Sequence, residues 1–189
     1  MDKTISKWKT IDIEKVGNFK VFDLYYKTRI NPNTNIAHKF TSLDAPTWVN
    51  IVATTNDNKI LLVEQYRHGI DEISLELPAG IVEPNEDPLD AAKRECIEET
   101  GYVGQNDIIL LGKVRPNPAF LNNYCYHYLW ERCDLNYDQK LDENEDIRVV
   151  LYPIEEIINL IQTEKLQHTL TLSALMLYFL NKNLHIWQK

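Results

Sequence analysis

A chain of 189 residues with 44% hydrophobic and 25% charged content has room for one core of ordinary size and is neither disordered nor fibrous. Its formal charge of -8 gives no long-range attraction to phosphate backbones, so no nucleic-acid partner is expected. Two stretches carry the imbalance. Residues 83–99 hold seven acids against two bases, and residues 138–146 hold five against one, which leaves a net +1 for the remainder.

In chain order, FKVFDLYYKTRI at 19–30 is rich in aromatic and β-branched residues and reads as strand, followed by the turn cluster NPNTN and a returning strand in HKFTSL. Residues 1–44 are therefore expected to form a small antiparallel β segment, and 45–189 the main domain. WVNIVATT at 48–55 and ILLVEQYR at 60–67 read as two strands about the turn NDNK. A helix is predicted over 88–100: Asp87 suits the N-cap, Pro88 the first helical position and Gly101 the residue just past the end. Two more helices are predicted, at 154–162 after Pro153 and near 169–181. The apolar run LTLSALMLYFL at 170–180 is too short to span a bilayer and reads as a buried core helix, so no membrane association is expected. Cys96, Cys125 and Cys133 form no close pair, and the opening MDKTISKWKT lacks the apolar core of a secretion signal, so the expected location is the reducing cytoplasm.

On the 88–100 helix, Glu95, Glu98 and Glu99 stand at i, i+3 and i+4 and share one face. Like charges so placed repel, and the sequence tolerates them either in solvent or around cations; hard oxygen donors suit Mg²⁺, with Mn²⁺ a substitute. The wider spacing favours the second reading. Gly80, Glu86, Arg94-Glu95, Glu98-Glu99 and Gly101 fall in a 23-residue pattern that resembles the Nudix box, with Cys96 and Tyr102 standing where that family carries aliphatic residues.

The resemblance implies an α/β fold, an α/β/α sandwich around a mixed sheet, and metal-dependent hydrolysis of a diphosphate. By position it implies metal ligation by Glu95, Glu99 and the Ala79 carbonyl, with Glu98 in support. Arg94 would orient a glutamate, and Glu86 would close the loop. Outside the box, QYR at 65–67 and Pro118, sixteen residues beyond Tyr102, resemble the ADP-ribose pyrophosphatase branch, and Arg67 would face the substrate's phosphates. LDENEDIRV at 141–149 resembles that branch's catalytic loop, where Glu143 would activate water and Glu145 help bind metal, an order that the sequence leaves open. For the base and sugar, Phe19, Trp48 and Trp8 are stacking candidates, while Asn117, Asn122 and Asn123 either bind sugar hydroxyls or cap a turn. His68, His127 and His168 lack metal spacing and are read as structural. The expected substrate is a small-molecule nucleotide sugar, ADP-ribose first, with GDP-mannose or a non-catalytic ADP-ribose sensor as alternatives. The resemblance also implies a homodimer formed through the N-terminal segment.

Overall fold

A computed structural model of the chain describes residues 4–183. They form two compact units, one of residues up to Pro46 with Arg115–Asn123, the other of Thr47–Val114 and the chain from Tyr124 onward. The first unit thus takes in 115–123, which the sequence reading assigned to the main domain. Leu121 bridges to Leu43, and the Asn122 carboxamide accepts from Ala45 N and donates to Asp44 Oδ1 at 2.5 Å, so this loop is tied to the end of the N-terminal hairpin.

The first unit is an antiparallel sheet of β1 (Lys9–Asn18), β2 (Asp23–Ile30) and β3 (Ala37–Asp44), in that order. The strand expected over 19–30 starts at Asp23, because 19–22 make the tight turn that reverses the chain: Phe19 N donates to Phe22 O at 2.9 Å, and Lys20 has φ 61. Strand β1 escaped the sequence reading. Its isoleucines alternate with charges, yet nearly every residue is exposed, so it holds its place by pairing with β2 rather than by burial.

The second unit is a mixed sheet ordered β11 (Ile147–Pro153), β5 (Lys59–Arg67), β4 (Trp48–Thr55), β10 (Cys125–Leu135), β8 (Tyr102–Gly104); β6 (Glu72–Glu76) pairs with β5, β7 (Ala79–Ile81) with β4, and β9 (Ile109–Val114) with β10. The β4–β10 pair is parallel and the others antiparallel. Both faces of β4 are buried, which explains its continuous apolar run. Val49, Ile51 and Ala53 pack with Ala91, Ala92 and Cys96 of α1 (Pro88–Thr100), while Val52 joins Ile157 and Leu160 of α2 (Ile157–Gln162) and Ala174, Leu175, Tyr178 and Phe179 of α3 (Thr169–Asn181). Period-2 alternation thus sends successive side chains into two cores and fixes the α/β/α layering. The 170–180 run lies in α3 and enters the core along one face, with Met176 and Leu180 exposed on the other, and no helix among the described residues is long and apolar enough to cross a membrane. The helix predicted from residue 154 opens with a 3₁₀ turn, Ile154–Glu156.

Helix α1 begins and ends where its caps predict. Asp87 Oδ1 accepts from Leu89 N at 2.8 Å, and Gly101, at φ 74, donates its N–H to Ile97 O. Packing Ala91, Ala92 and Cys96 into the core turns Glu95 and Glu99 toward the β7 loop.

Candidate active site

Glu99 is 4% exposed, and its Oε2 accepts from Ala79 N at 2.9 Å. Burial, assisted by the charges of Glu95 and Glu145 and opposed by the Ala79 bond, pushes its carboxyl up to about 8. Glu95 is also raised, first by burial and then by its acidic neighbours. Its carboxylate lies against Gly80: a Cβ there would sit 2.0 Å from Glu95 Cδ. With glycine at this position, the carboxylate fills the space that a side chain would take.

Arg94 orders the rest of the cluster. Nε and Nη2 donate to the two Glu86 oxygens at 2.9 Å each, Nη2 also to Ile81 O at 3.0 Å, and Nη1 to Glu95 Oε1 at 2.8 Å and Glu98 Oε2 at 3.2 Å. The fork on Glu86 raises the guanidinium and lowers Glu86 in return, while Glu86 Oε2 also accepts from Glu83 N at 2.9 Å. Glu86 therefore closes the loop, and Arg94 ties Glu86, Glu95 and Glu98 together.

The acidic loop between β10 and β11 is fastened to the C-terminus of α1. Gln139 Nε2 donates to Glu99 O at 2.6 Å and Ile147 O at 3.2 Å; Lys140 N donates to Glu98 O at 2.8 Å, and Asn136 N and Tyr137 N to Gly101 O. These bonds satisfy helix carbonyls that have no intrahelical partner and bring Glu145 within electrostatic reach of Glu95, Glu99 and Arg67. Glu145 Oε2 accepts from Asp142 N at 3.0 Å. Glu143 is exposed on the same loop.

Arg67 donates through Nε and Nη2 to Glu76 at 2.8 and 2.7 Å, and Glu76, 1% exposed, also meets His168 Nδ1 at 3.1 Å. Burial pushes the Glu76 carboxyl up, but the Arg67 fork and His168 outweigh it and hold it below its ordinary value. Neither Glu76 nor the link to His168 was read from sequence. The signal was an acid between two leucines, Leu75-Glu76-Leu77, since a carboxylate in a buried apolar run needs a cation. Arg67, Glu76 and His168 share the lining of a cleft of about 620 Å³. Neither this cleft nor a second of about 650 Å³, beside Asn56 and Lys182, is lined by the carboxylates of the helix.

The other candidates have contacts of their own. His127 is buried, pushed down to about 4 by burial and bonded to Ser173 Oγ at 2.8 Å, a structural residue as expected. His68 meets the Tyr66 ring edge at a 5.0 Å centroid distance. Phe19, Asn117 and Pro118 belong to the first unit, and Trp48 begins β4. Phe19 stacks on Phe22, and Trp8 meets Phe40 edge-on. Asn117 Oδ1 accepts from Ala119 N at 3.3 Å and Asn123 Nδ2 donates to Pro46 O at 2.8 Å; with Asn122, the asparagines hold the loop together.

Among the described residues no three acidic, histidine or cysteine side chains converge closely enough to hold an ion as they stand, and Arg94 engages Glu95 Oε1. The donor set nevertheless fits a hard divalent cation. A carboxylate as buried as Glu99 with like charges beside it is costly to ionise, and a cation held there would remove that cost.

The family model described as NUDIX domain matches residues 46–172. The chain is 30% identical over 168 residues to the ADP-ribose pyrophosphatase of Bacillus subtilis, covering 88% of this chain and 90% of that one. It is 30% identical over 167 residues to the methanol dehydrogenase activator of Bacillus methanolicus, covering 88% and 89%. A crystal structure of an ADP compounds hydrolase superposes with a TM-score of 0.83 at 21% identity, covering 96% and 98%, a likeness of fold.

Proposed function

The chain belongs to the NUDIX family, and from that premise we propose that it hydrolyses the diphosphate of an ADP-sugar, ADP-ribose first, giving AMP and ribose 5-phosphate. The observation that carries this reading is the buried Glu99 beside Glu95 and within the field of Glu145, a carboxylate set with no use for its charge until a cation and a diphosphate are present. The substrate class is supported by the pyrophosphatase relative and by Arg67, whose guanidinium is held by the buried Glu76 beside an open cleft.

Glu95, Glu99, Glu145 and the Ala79 carbonyl would hold Mg²⁺, with Mn²⁺ as a substitute. Bound there, a divalent ion neutralises diphosphate charge and acidifies water. The chain's own residues do the remaining work. Arg94 holds Glu95 and Glu98 in register, Arg67 binds a phosphate oxygen, and an acid of the 141–149 loop takes the proton of the attacking water. Position in the motif favours Glu143 for that role. The field of Glu145 at Glu95 and Glu99 favours keeping Glu145 with the metal set. The phosphorus–oxygen bond of the anhydride breaks and its bridging oxygen leaves with one phosphate.

The homodimer is part of the proposal. It is supported by Ile11, Ile13 and Val16, which are 50%, 58% and 44% exposed on the edge strand of the N-terminal sheet, an edge that natural sheets cover or charge. A reducing, cytoplasmic setting agrees with three buried free thiols.

The test is a panel of ADP-ribose, other ADP-sugars and GDP-mannose assayed with Mg²⁺. ADP-ribose is expected to turn over fastest. Faster turnover of GDP-mannose would overturn the substrate, and tight binding of ADP-ribose with no turnover of any compound would overturn the enzyme.

A further inference from the structure

The N-terminal unit carries a basic cavity that the hydrolytic reading leaves unused. It measures about 160 Å³ and lies between the β2–β3 surface and the 118–122 loop of the same unit. Lys27 and Arg29 enter its lining from alternate positions of β2, hence from one face, with Thr41 and Ser42 from β3 and Phe120 from the loop. No acid lines it. Three acids of the sheet are engaged by other partners, Asp23 by Lys15 at 2.6 Å, Glu14 by Lys39 at 3.1 Å and Asp44 by Asn122, and the fourth, Asp12, pairs with Thr28 on the face away from Lys27 and Arg29. Among the described residues, neither Lys27 nor Arg29 has a carboxylate within ion-pair distance. Lys27 Nζ donates to Ser42 Oγ at 3.0 Å, leaving two N–H donors. Arg29 Nε is shielded from solvent and has no hydrogen-bond partner.

A shielded guanidinium N–H without an acceptor is a cost that folding normally avoids, and two cations on one face add repulsion. A single tetrahedral oxyanion meets both demands. It accepts from the Arg29 fork, neutralises Lys27 and takes a hydroxyl donor from Ser42, which the register places on the same face. The volume suits one such group and is well below the ~300 Å³ at which small-molecule pockets begin. We propose that this cavity is a binding site for a phosphate-type oxyanion, either inorganic phosphate or the phosphate group of a monoester whose remainder lies outside. The proposal rests on the first unit alone and stands whether or not the hydrolytic assignment does.

The test uses ¹⁵N-labelled full-length protein in EDTA, titrated separately with inorganic phosphate and with ribose 5-phosphate against sodium chloride of equal ionic strength. Saturable shifts of the amides of 27–29, 41–42 and 119–122 are expected in a phosphate arm and absent in chloride. Tighter binding of ribose 5-phosphate identifies a monoester as the ligand, and equal or weaker binding identifies the free ion. Arg29→Gln should weaken the response at least tenfold with an unchanged spectrum elsewhere. Should Arg29→Gln fail to fold, Lys27→Gln is read in its place and should weaken binding severalfold. Shifts confined to the neighbourhood of Arg67 and Glu99, no saturation in either arm, or unchanged affinity in a folded charge-removing variant would overturn the site.

Discussion

Replacing Glu99 by Gln keeps the shape of the side chain and an oxygen able to accept from Ala79 N, while removing the charge. In the metal-free protein that charge is a liability. The unfolded chain releases the Glu99 proton near its ordinary value of 4.5, whereas the fold holds it to about 8. Between those values the folded state binds more protons than the unfolded one, so stability falls as pH rises. At roughly 1.4 kcal/mol per pH unit for one proton, the interval sets a ceiling of about 4–5 kcal/mol. Rotation of the carboxylate toward water brings the expected loss to about 2–3 kcal/mol. Urea denaturation in EDTA at pH 5, 7 and 9 measures it. Wild type and Glu99→Gln should lie close together at pH 5, and the variant should be more stable by about 2–3 kcal/mol at pH 9. Adding Mg²⁺ at pH 9 should restore wild type and leave the variant unmoved. Parallel pH profiles for the two proteins would refute the reasoning, since they would mean that Glu99 ionises in the fold at no cost.

Further predictions follow from individual contacts. Gly80→Ala places a Cβ 2.0 Å from Glu95 Cδ; the carboxylate can swing away, so thermal stability should change little while the Mg²⁺ concentration for half-maximal turnover rises about tenfold or more. Glu76→Gln breaks a fork whose acid end is buried and whose arginine is 43% exposed. It should cost about 1–2 kcal/mol in denaturant unfolding and raise KM more than it lowers kcat, because Arg67 is freed rather than removed. Gln139→Ala removes the donor to Glu99 O and Ile147 O; faster amide exchange over 138–146 and several-fold lower kcat are expected. Glu143→Gln should lower kcat with little change in the Mg²⁺ requirement, whereas Glu145→Gln should raise that requirement. The reverse pattern would exchange their roles.

Much of the catalytic helix was legible because its signals are local. Asp87, Pro88 and Gly101 mark its ends without reference to the rest of the fold, and the spacing of Glu95, Glu98 and Glu99 follows from helical geometry alone. The layering was legible in outline, since apolar runs in strands buried on both faces differ from alternating ones. The short strands β6, β7 and β8 were not, because three to five residues carry too little pattern and exist through pairing with β5, β4 and β10. Strand β1 was hidden for the opposite reason, being long but exposed. The Arg67–Glu76–His168 group was hidden because Glu76 reaches Arg67 only when β6 pairs with β5, and His168 comes from a distant part of the chain, just before α3. Gln139 looked like one polar residue in a polar loop, and its importance comes from joining a carbonyl at the end of α1 to one at the start of β11. The same contacts explain the charge distribution met first in the sequence. One acidic stretch is the helix and its approach loop, and the other is fastened to that helix's C-terminus.

The most direct test of the central claim, that the Glu95–Glu99–Glu145 carboxylates make this chain a divalent-metal-dependent ADP-sugar hydrolase, is a product assay on ADP-ribose as Mg²⁺ is titrated into EDTA-treated protein. AMP and ribose 5-phosphate should appear in equal amounts, with a rate that saturates in Mg²⁺ and falls at least a hundredfold in Glu99→Gln. Equal rates with and without Mg²⁺, or wild-type turnover by Glu99→Gln, would contradict it.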